Sequence, residues 1–165
     1  MKVWTKKRIA LGRQSLLEWE GTPHYNCLRT KGVGVDCVNL VSAVYIESGI
    51  LDDVAFGRYS TTEGQDDQSG ALLRVLAGAV HLKTVKGWRD DINILEFGDI
   101  AVFRTRPYSA HMAIYDGEFL WHSIGQRAVL KTPMSDWEHR ISSFHRVTKL
   151  GWKNNPGNLL RKYSK

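Results

Sequence analysis

Nucleophilic or metal chemistry in this chain would fall first to two cysteines, Cys27 and Cys37, and six histidines. Two cysteines are too few for a disulfide scaffold and lack the paired spacing of a zinc site, which points to a single reactive thiol. Local sequence singles out Cys37. The run Gly32-Val33-Gly34-Val35-Asp36-Cys37 leads into Val38-Asn39-Leu40-Val41 and puts Cys37 in the first turn of a helix capped by Asp36. Unpaired N–H groups and the helix dipole favour an anion there. A thiolate at that position is predicted to have a lowered pKa and to act as a nucleophile, with the same amides receiving a developing oxyanion. The position equally admits a small buried hydrophobe. Cys27 lies among loop residues and is read as structural or incidental, a redox bridge to Cys37 being the lesser alternative.

A thiolate needs a base, and the base needs an orienting partner. The stretch from His111 to His122 contains Asp116-Gly117 between two strand-like runs, a strong hairpin signal. With Asp116 and Gly117 as a two-residue type I′ loop, Tyr115 pairs with Glu118 and His111 stands directly opposite His122. Directly opposed residues share a face, with β-carbons roughly 4.5–5.5 Å apart. His111 is then the candidate general base and His122 its orienter. A loop one residue longer would throw His122 to the other face. Metal ligation by the two histidines is the minor reading, because no third ligand stands at a familiar spacing. His24, ahead of the nucleophile, is a candidate cleft residue. His81, His139 and His145 are read as solvated or helix-terminal.

The elements that must position these groups follow from periodicity. A helix is expected from about Thr5 to Trp19, with Ile9, Leu16, Leu17 and Trp19 on its apolar side and Gly21 closing it. Residues 21–34 read as a loop. The helix begun at Asp36 carries Leu40, Val41, Val44 and Tyr45 on one face and stops at Gly49. A further helix is expected from Gln68 to about Val80. Strand-like runs follow at Leu82–Val85, Ile100–Arg104, His111–Tyr115, Glu118–His122, Ala128–Lys131 and Phe144–Val147. Helices first and strands afterwards predict an α+β domain with a mostly antiparallel sheet.

The chain has 165 residues, 42% of them apolar, and six Trp, which suits one domain over 1–165 with a core at about 5–150 and a basic tail at 151–165. The net charge of +6 favours an anionic partner such as nucleic acid, a lipid surface or an acidic wall polymer. Much of it lies in the first dozen residues and beyond Lys149, where solvated ends are the plainer explanation. No secretory signal and no apolar run of transmembrane length is expected. No recognition-helix motif supports a nucleic-acid module.

Several segments together resemble the NlpC-type cysteine peptidases of bacterial cell walls, most of all the branch encoded among phage tail genes. They are Trp19-Glu20-Gly21-Thr22-Pro23, Gly32 to Cys37, Phe97-Gly98-Asp99-Ile100-Ala101-Val102-Phe103, His111-Met112-Ala113-Ile114-Tyr115 and Trp121-His122, which in order span about Trp19 to Val147. The resemblance implies a papain-like fold with the cysteine helix packed on the sheet. It implies Cys37 as nucleophile, His111 as base, His122 as third polar residue, and no metal or organic cofactor. The implied reaction is hydrolysis of peptide bonds in peptidoglycan stems, with phage tail proteins as further partners and action at the cell wall from a virion tail or the producing cell. Asp36, His24 and Tyr25 are the implied substrate-binding positions. The chain departs from the family at Val38, where a serine commonly helps hold a free amine, at His24, where tyrosine is usual, and at Asn39 in place of a glycine. The alternatives are a weakly catalytic tail protein of the same fold and an acyltransferase or amidase using the same chemistry.

Overall fold

Thr5 starts the first helix by accepting the Arg8 N–H on its side chain, an N-cap that satisfies one of the free amides of the first turn. In the computed structural model, which describes residues 2–53, 76–106 and 109–154, this helix, α1, covers Lys6–Trp19, and Gly21 follows it with a φ of +80°. Its inward face is Gly12, Ser15, Leu16 and Trp19. Leu17, expected on that side, is exposed, because Leu16 and Trp19 already define the stripe and Leu17 lies 100° round from Leu16. The segment expected as a loop contains a short antiparallel ribbon, β1 (Arg29–Thr30) and β2 (Gly34–Val35), which delivers the chain to Asp36.

Helix α2, Cys37–Glu47, is buried continuously from Cys37 to Tyr45 rather than along one face. A helix apolar all round belongs in a core. Here α1 covers one side and the sheet the other. Glu47 ties α1 to α2 by accepting from Ser15 Oγ at 2.5 Å and from Trp19 Nε1 at 3.2 Å.

The remaining strands are β3 (Val80–Thr84), β4 (Ile100–Arg106), β5 (Ser109–Tyr115), β6 (Phe119–Ser123), β7 (Val129–Pro133) and β8 (Ile141–Trp152). They form an antiparallel sheet in the order β3-β8-β4-β5-β6-β7. Each strand-like run of the sequence matches one of these strands, with Val85, Glu118 and Ala128 falling just outside the strand ends. β8 continues past the expected core boundary to Trp152, whose indole N–H donates to Asp52 O at 2.8 Å. Of the helix expected over 68–80, residues 76–79 are helical and Val80 already opens β3; its earlier part, like most of the basic tail, lies outside the described residues.

Both sheet faces are apolar. Ile100, Val102, Met112, Ile114 and Trp121 pack toward α2, while Ala101, Phe103, Ala113, Tyr115 and Leu120 pack with Trp88, Met134 and Phe144 on the other side. That explains the unbroken apolar run Ile100–Phe103 in a central strand. Gly98 precedes it at φ +86°, and a β-carbon there would meet the Trp4 ring at 2.1 Å. Arg146 closes the same corner with bonds to the fully buried Asp99 at 2.7 and 2.8 Å. Among the described residues no helix is long and apolar enough to cross a membrane. The architecture is the expected α+β class.

Candidate active site

Cys37 takes the first helical position of α2, behind Asp36. The Asp36 carboxylate accepts from Asn39 N at 2.8 Å, as an N-cap should, and from Cys27 N at 2.6 Å. Holding that amide ties the Cys27 backbone, at a φ of +60°, to the start of α2. Cys27 and Cys37 are both free thiols. Cys37 is 6% exposed.

The sulfur faces the N–H of Met112. Strand geometry accounts for this. Tyr115 N–H donates back to Asp99 O at 2.8 Å, so the alternation of an antiparallel ladder turns the Met112 N–H the other way, toward β6. The β5–β6 ladder, however, pairs only Ile114 with Trp121 and Tyr115 with Leu120. Beyond Ile114 the strands part, and the end of α2 presents Cys37 to the freed amide.

The histidines lie where the strands part. The hairpin differs from the expected one: Tyr115 pairs with Leu120 instead of Glu118, and Asp116 N–H donates to Phe119 O, so Gly117 and Glu118 form the loop. Two contacts decide the shift. Asp116 is nearly buried and accepts from the N–H groups of Glu118 and Phe119 and from Trp121 Nε1, which makes it a cap for the hairpin and not a loop residue. Gly117, at φ +102°, takes the first loop position, where a type II′ turn wants glycine. A slip of two residues keeps side chains on their face. His111 and His122 thus become diagonal instead of direct neighbours, and His111 Nε2 still meets His122 Nδ1 at 2.9 Å.

The row continues across β7. His122 pairs with Leu130, and its diagonal neighbour Thr132 places Oγ1 2.9 Å from His122 Nε2. Phe103 stacks on both imidazoles and Trp137 packs edge-on against His122. His122 is fully buried, whereas His111 keeps part of its ring at the surface. Thr132, Phe103 and Trp137 were not singled out from the sequence. Thr132 lies one residue past the expected strand end, and its place opposite a histidine depends on a register that only the folded sheet defines.

Burial sets the protonation of the row. It pushes His111 down to about 3, helped by His122 and then His24, and His122 down to about 4. Burial also pushes the Cys37 thiol up to about 12, with the Asp36 carboxylate adding to the rise against the N–H groups of Met112, Val38 and Cys37. The sequence expectation of a lowered thiol pKa is therefore corrected: desolvation outweighs the helix start. At neutral pH thiol and imidazoles are all uncharged. When Thr132 accepts from His122 Nε2, His122 Nδ1 accepts from His111 Nε2, and Nδ1 of His111 is left with a free lone pair. In that arrangement His111 Nδ1 can accept a proton. Among the described residues no hydrogen bond joins Cys37 to His111 directly, and no group of candidate metal ligands occurs.

The expected substrate-binding residues separate. Asp36 is 2% exposed and occupied by backbone donors. Tyr25 is exposed, its β-carbon close over Gly34. His24 borders the site: it bridges to Val35 of β2, and its Nδ1 lies 2.8 Å from Oγ of the buried Ser123, next to His122.

No family model matches the sequence, and no curated protein matches it. Solved structures do. The chain is similar to an NLP/P60-family protein described as similar to a lipoprotein from Staphylococcus aureus, with 20% identity, a TM-score of 0.55, and coverage of 87% of this chain and 42% of that one. It is similar to the NlpC/p60 domain of the peptidoglycan hydrolase SagA, with 14% identity, a TM-score of 0.50, and coverage of 85% and 97%. It is also similar to NlpC2 from Trichomonas vaginalis, with 14% identity, a TM-score of 0.55, and coverage of 91% and 49%. The chain thus spans about half or less of two of these proteins and nearly all of the third. At these identities the likeness is one of architecture: this chain has the papain-like α+β fold of NlpC/P60 domains.

Proposed function

We propose that the protein is a thiol-dependent hydrolase of amide bonds in peptidoglycan stem peptides, with Cys37 as nucleophile, His111 as base and His122 as its orienter. One observation carries the reading. The Cys37 sulfur faces the Met112 amide where β5 leaves β6, beside the row His111–His122–Thr132. The fold of NlpC/P60 domains supports the substrate class.

The resting thiol and imidazoles are uncharged, so proton transfer accompanies attack. The thiol proton passes to His111 Nδ1 as sulfur adds to the amide carbonyl. N–H groups at the start of α2 and on Met112 offset the oxyanion charge. His111 returns the proton to the leaving amine, and water then releases the acyl group from sulfur with His111 again as base. Phage-tail delivery is part of the same proposal and rests on the sequence resemblance.

Purified protein and a Cys37→Ala variant are incubated with defined muropeptides and the products analysed by mass spectrometry. Cleavage by the parent alone is the expected result. Cleavage that survives the substitution sinks the mechanism. The absence of a direct Cys37–His111 bond favours a second reading, a weakly catalytic tail protein; no cleavage and no labelling of Cys37 by a thiol reagent near neutral pH would select it.

A further inference from the structure

At the rim of the site, residues 21–24 run antiparallel to residues 127–129. Pro23 bridges Ala128, and His24 N–H donates to Arg127 O at 3.1 Å. Beneath this rim one side chain joins the strand of the histidine row to the arm of the nucleophile. Ser123 follows His122 on β6, and successive strand residues project to opposite faces. β6 therefore holds His122 against Phe103 on one face and turns Ser123 toward β2 on the other. Ser123 is fully buried, and its Oγ lies 2.6 Å from the carbonyl oxygen of Val35, just ahead of Asp36 and Cys37.

The proton positions follow. A hydroxyl and a carbonyl oxygen this close must have the hydroxyl proton between them, so Ser123 donates to Val35 O. Its single proton is then spent, and the 2.8 Å contact with His24 Nδ1 requires that nitrogen to donate. Turning the ring over would set a carbon at that distance. A relay results, from His24 Nδ1–H through Ser123 Oγ–H to Val35 O. It holds whether or not Nε2 also carries a proton.

We propose that Ser123 and His24 are positioning residues, which lock the arm carrying Cys37 to the strand carrying His122. The sequence resemblance implies substrate binding for His24; the relay gives its Nδ1 a different task. Val35 O also accepts from Tyr25 N–H at 3.2 Å, and the half-buried His24 ring can pass its N–H to water. Loss of the Ser123 hydroxyl therefore strands no buried group, and it frees the arm without unfolding the chain. A shift of about 1 Å between nucleophile and base costs roughly a hundredfold in rate.

The kinetic effect rests on the hydrolase reading, whereas the relay itself is tested without substrate. Long-range nitrogen–proton NMR spectra of the full chain in alkaline buffer should show His24 as the Nδ1–H tautomer. Ser123→Ala should return it toward the Nε2–H form usual for a solvated neutral imidazole. An Nε2–H tautomer in the parent overturns the relay, whatever the protein cleaves. With muropeptides, Ser123→Ala should lower kcat roughly ten- to a hundredfold with KM nearly unchanged and an unaltered circular dichroism spectrum. Two His24 variants separate the roles of the ring, because an Asn amide reaches the place of Nδ1 and a Gln amide that of Nε2. His24→Asn should keep most of the rate, and His24→Gln should fall as Ser123→Ala does. Combining Ser123→Ala with His24→Gln should cost no more than Ser123→Ala alone, as members of one network do. An unchanged kcat in Ser123→Ala, a rise in KM alone, His24→Gln outperforming His24→Asn, or additive losses would overturn the positioning role. The Nδ1–H tautomer without cleavage by the parent removes the hydrolase reading and leaves the relay standing. Cleavage with the other tautomer does the reverse.

Discussion

The two halves of the site are built differently. The histidine row crosses β5, β6 and β7 of one sheet, at the point where β5 and β6 part while β6 and β7 stay paired, and is wrapped by Phe103 and Trp137. The rim of His24 and Arg127 hangs on two isolated bridges, a few backbone bonds and the Ser123 hydroxyl. The row is buried and uncharged; at the rim His24 is half-buried and Arg127 exposed. Packing is thus tight and solvent excluded at the row, while side chains at the rim can still exchange partners. That division is what loops on a rigid scaffold ordinarily provide.

Replacement of Cys37 by Ala should have the largest effect on turnover, a loss of roughly 10⁴-fold or more, read as muropeptide cleavage with folding checked by circular dichroism. A loss confined to tenfold would mean that Cys37 is not the nucleophile. Gly98→Ala tests the scaffold under the row. A positive φ and a Trp4 ring in the way should destabilise the fold by about 2–4 kcal/mol in denaturant unfolding. Thr132→Val is subtler. It removes one acceptor while keeping shape, and should lower kcat about three- to tenfold with KM unchanged, since one hydrogen bond is worth about 1 kcal/mol. A change in KM alone would move Thr132 from the row to the rim.

Acidity sharpens the contrast further. His111 and His122 fold with pKa values pushed down by burial to about 3 and 4, below the ordinary 6.5. The unfolded chain therefore binds more protons than the native one between those values and 6.5. The contribution to stability is complete above pH 6.5 and is lost as pH falls toward 3. Above pH 9 the raised Cys37 thiol acts in the opposite direction, and stability falls toward 12. Urea midpoints across pH 3–10 check both limbs, and the acid limb of kcat/KM should lie below pH 5. A limb near 6.5 would show His111 to be solvated like a rim residue. The smallest expected effect is Leu17→Lys on exposed α1, within about 0.5 kcal/mol of the parent.

Much of the row was legible beforehand. The N-cap at Asp36, the face shared by His111 and His122 and the runs of the sheet all follow from local patterns. The hairpin register was not, because the loop residues were assigned from the Asp-Gly pair alone. Asp116 is drawn into the hairpin by Trp121, a contact that exists only once β6 has folded back. The bond from the Cys27 amide to Asp36 is likewise absent from local pattern, because it joins residues nine apart through a loop.

The sequence by itself determined the identities and the parity: a thiol at a helix start, and histidines whose even slip keeps them on one face, because strand side chains repeat with a period of two. Only the tertiary structure decided their state. Burial keeps thiol and imidazoles uncharged, β6 leaves β5 at the point where the sulfur meets Met112, and Thr132 enters from a strand whose partner is set by long-range pairing. Desolvation and register are properties of neighbours in space, and local sequence carries neither.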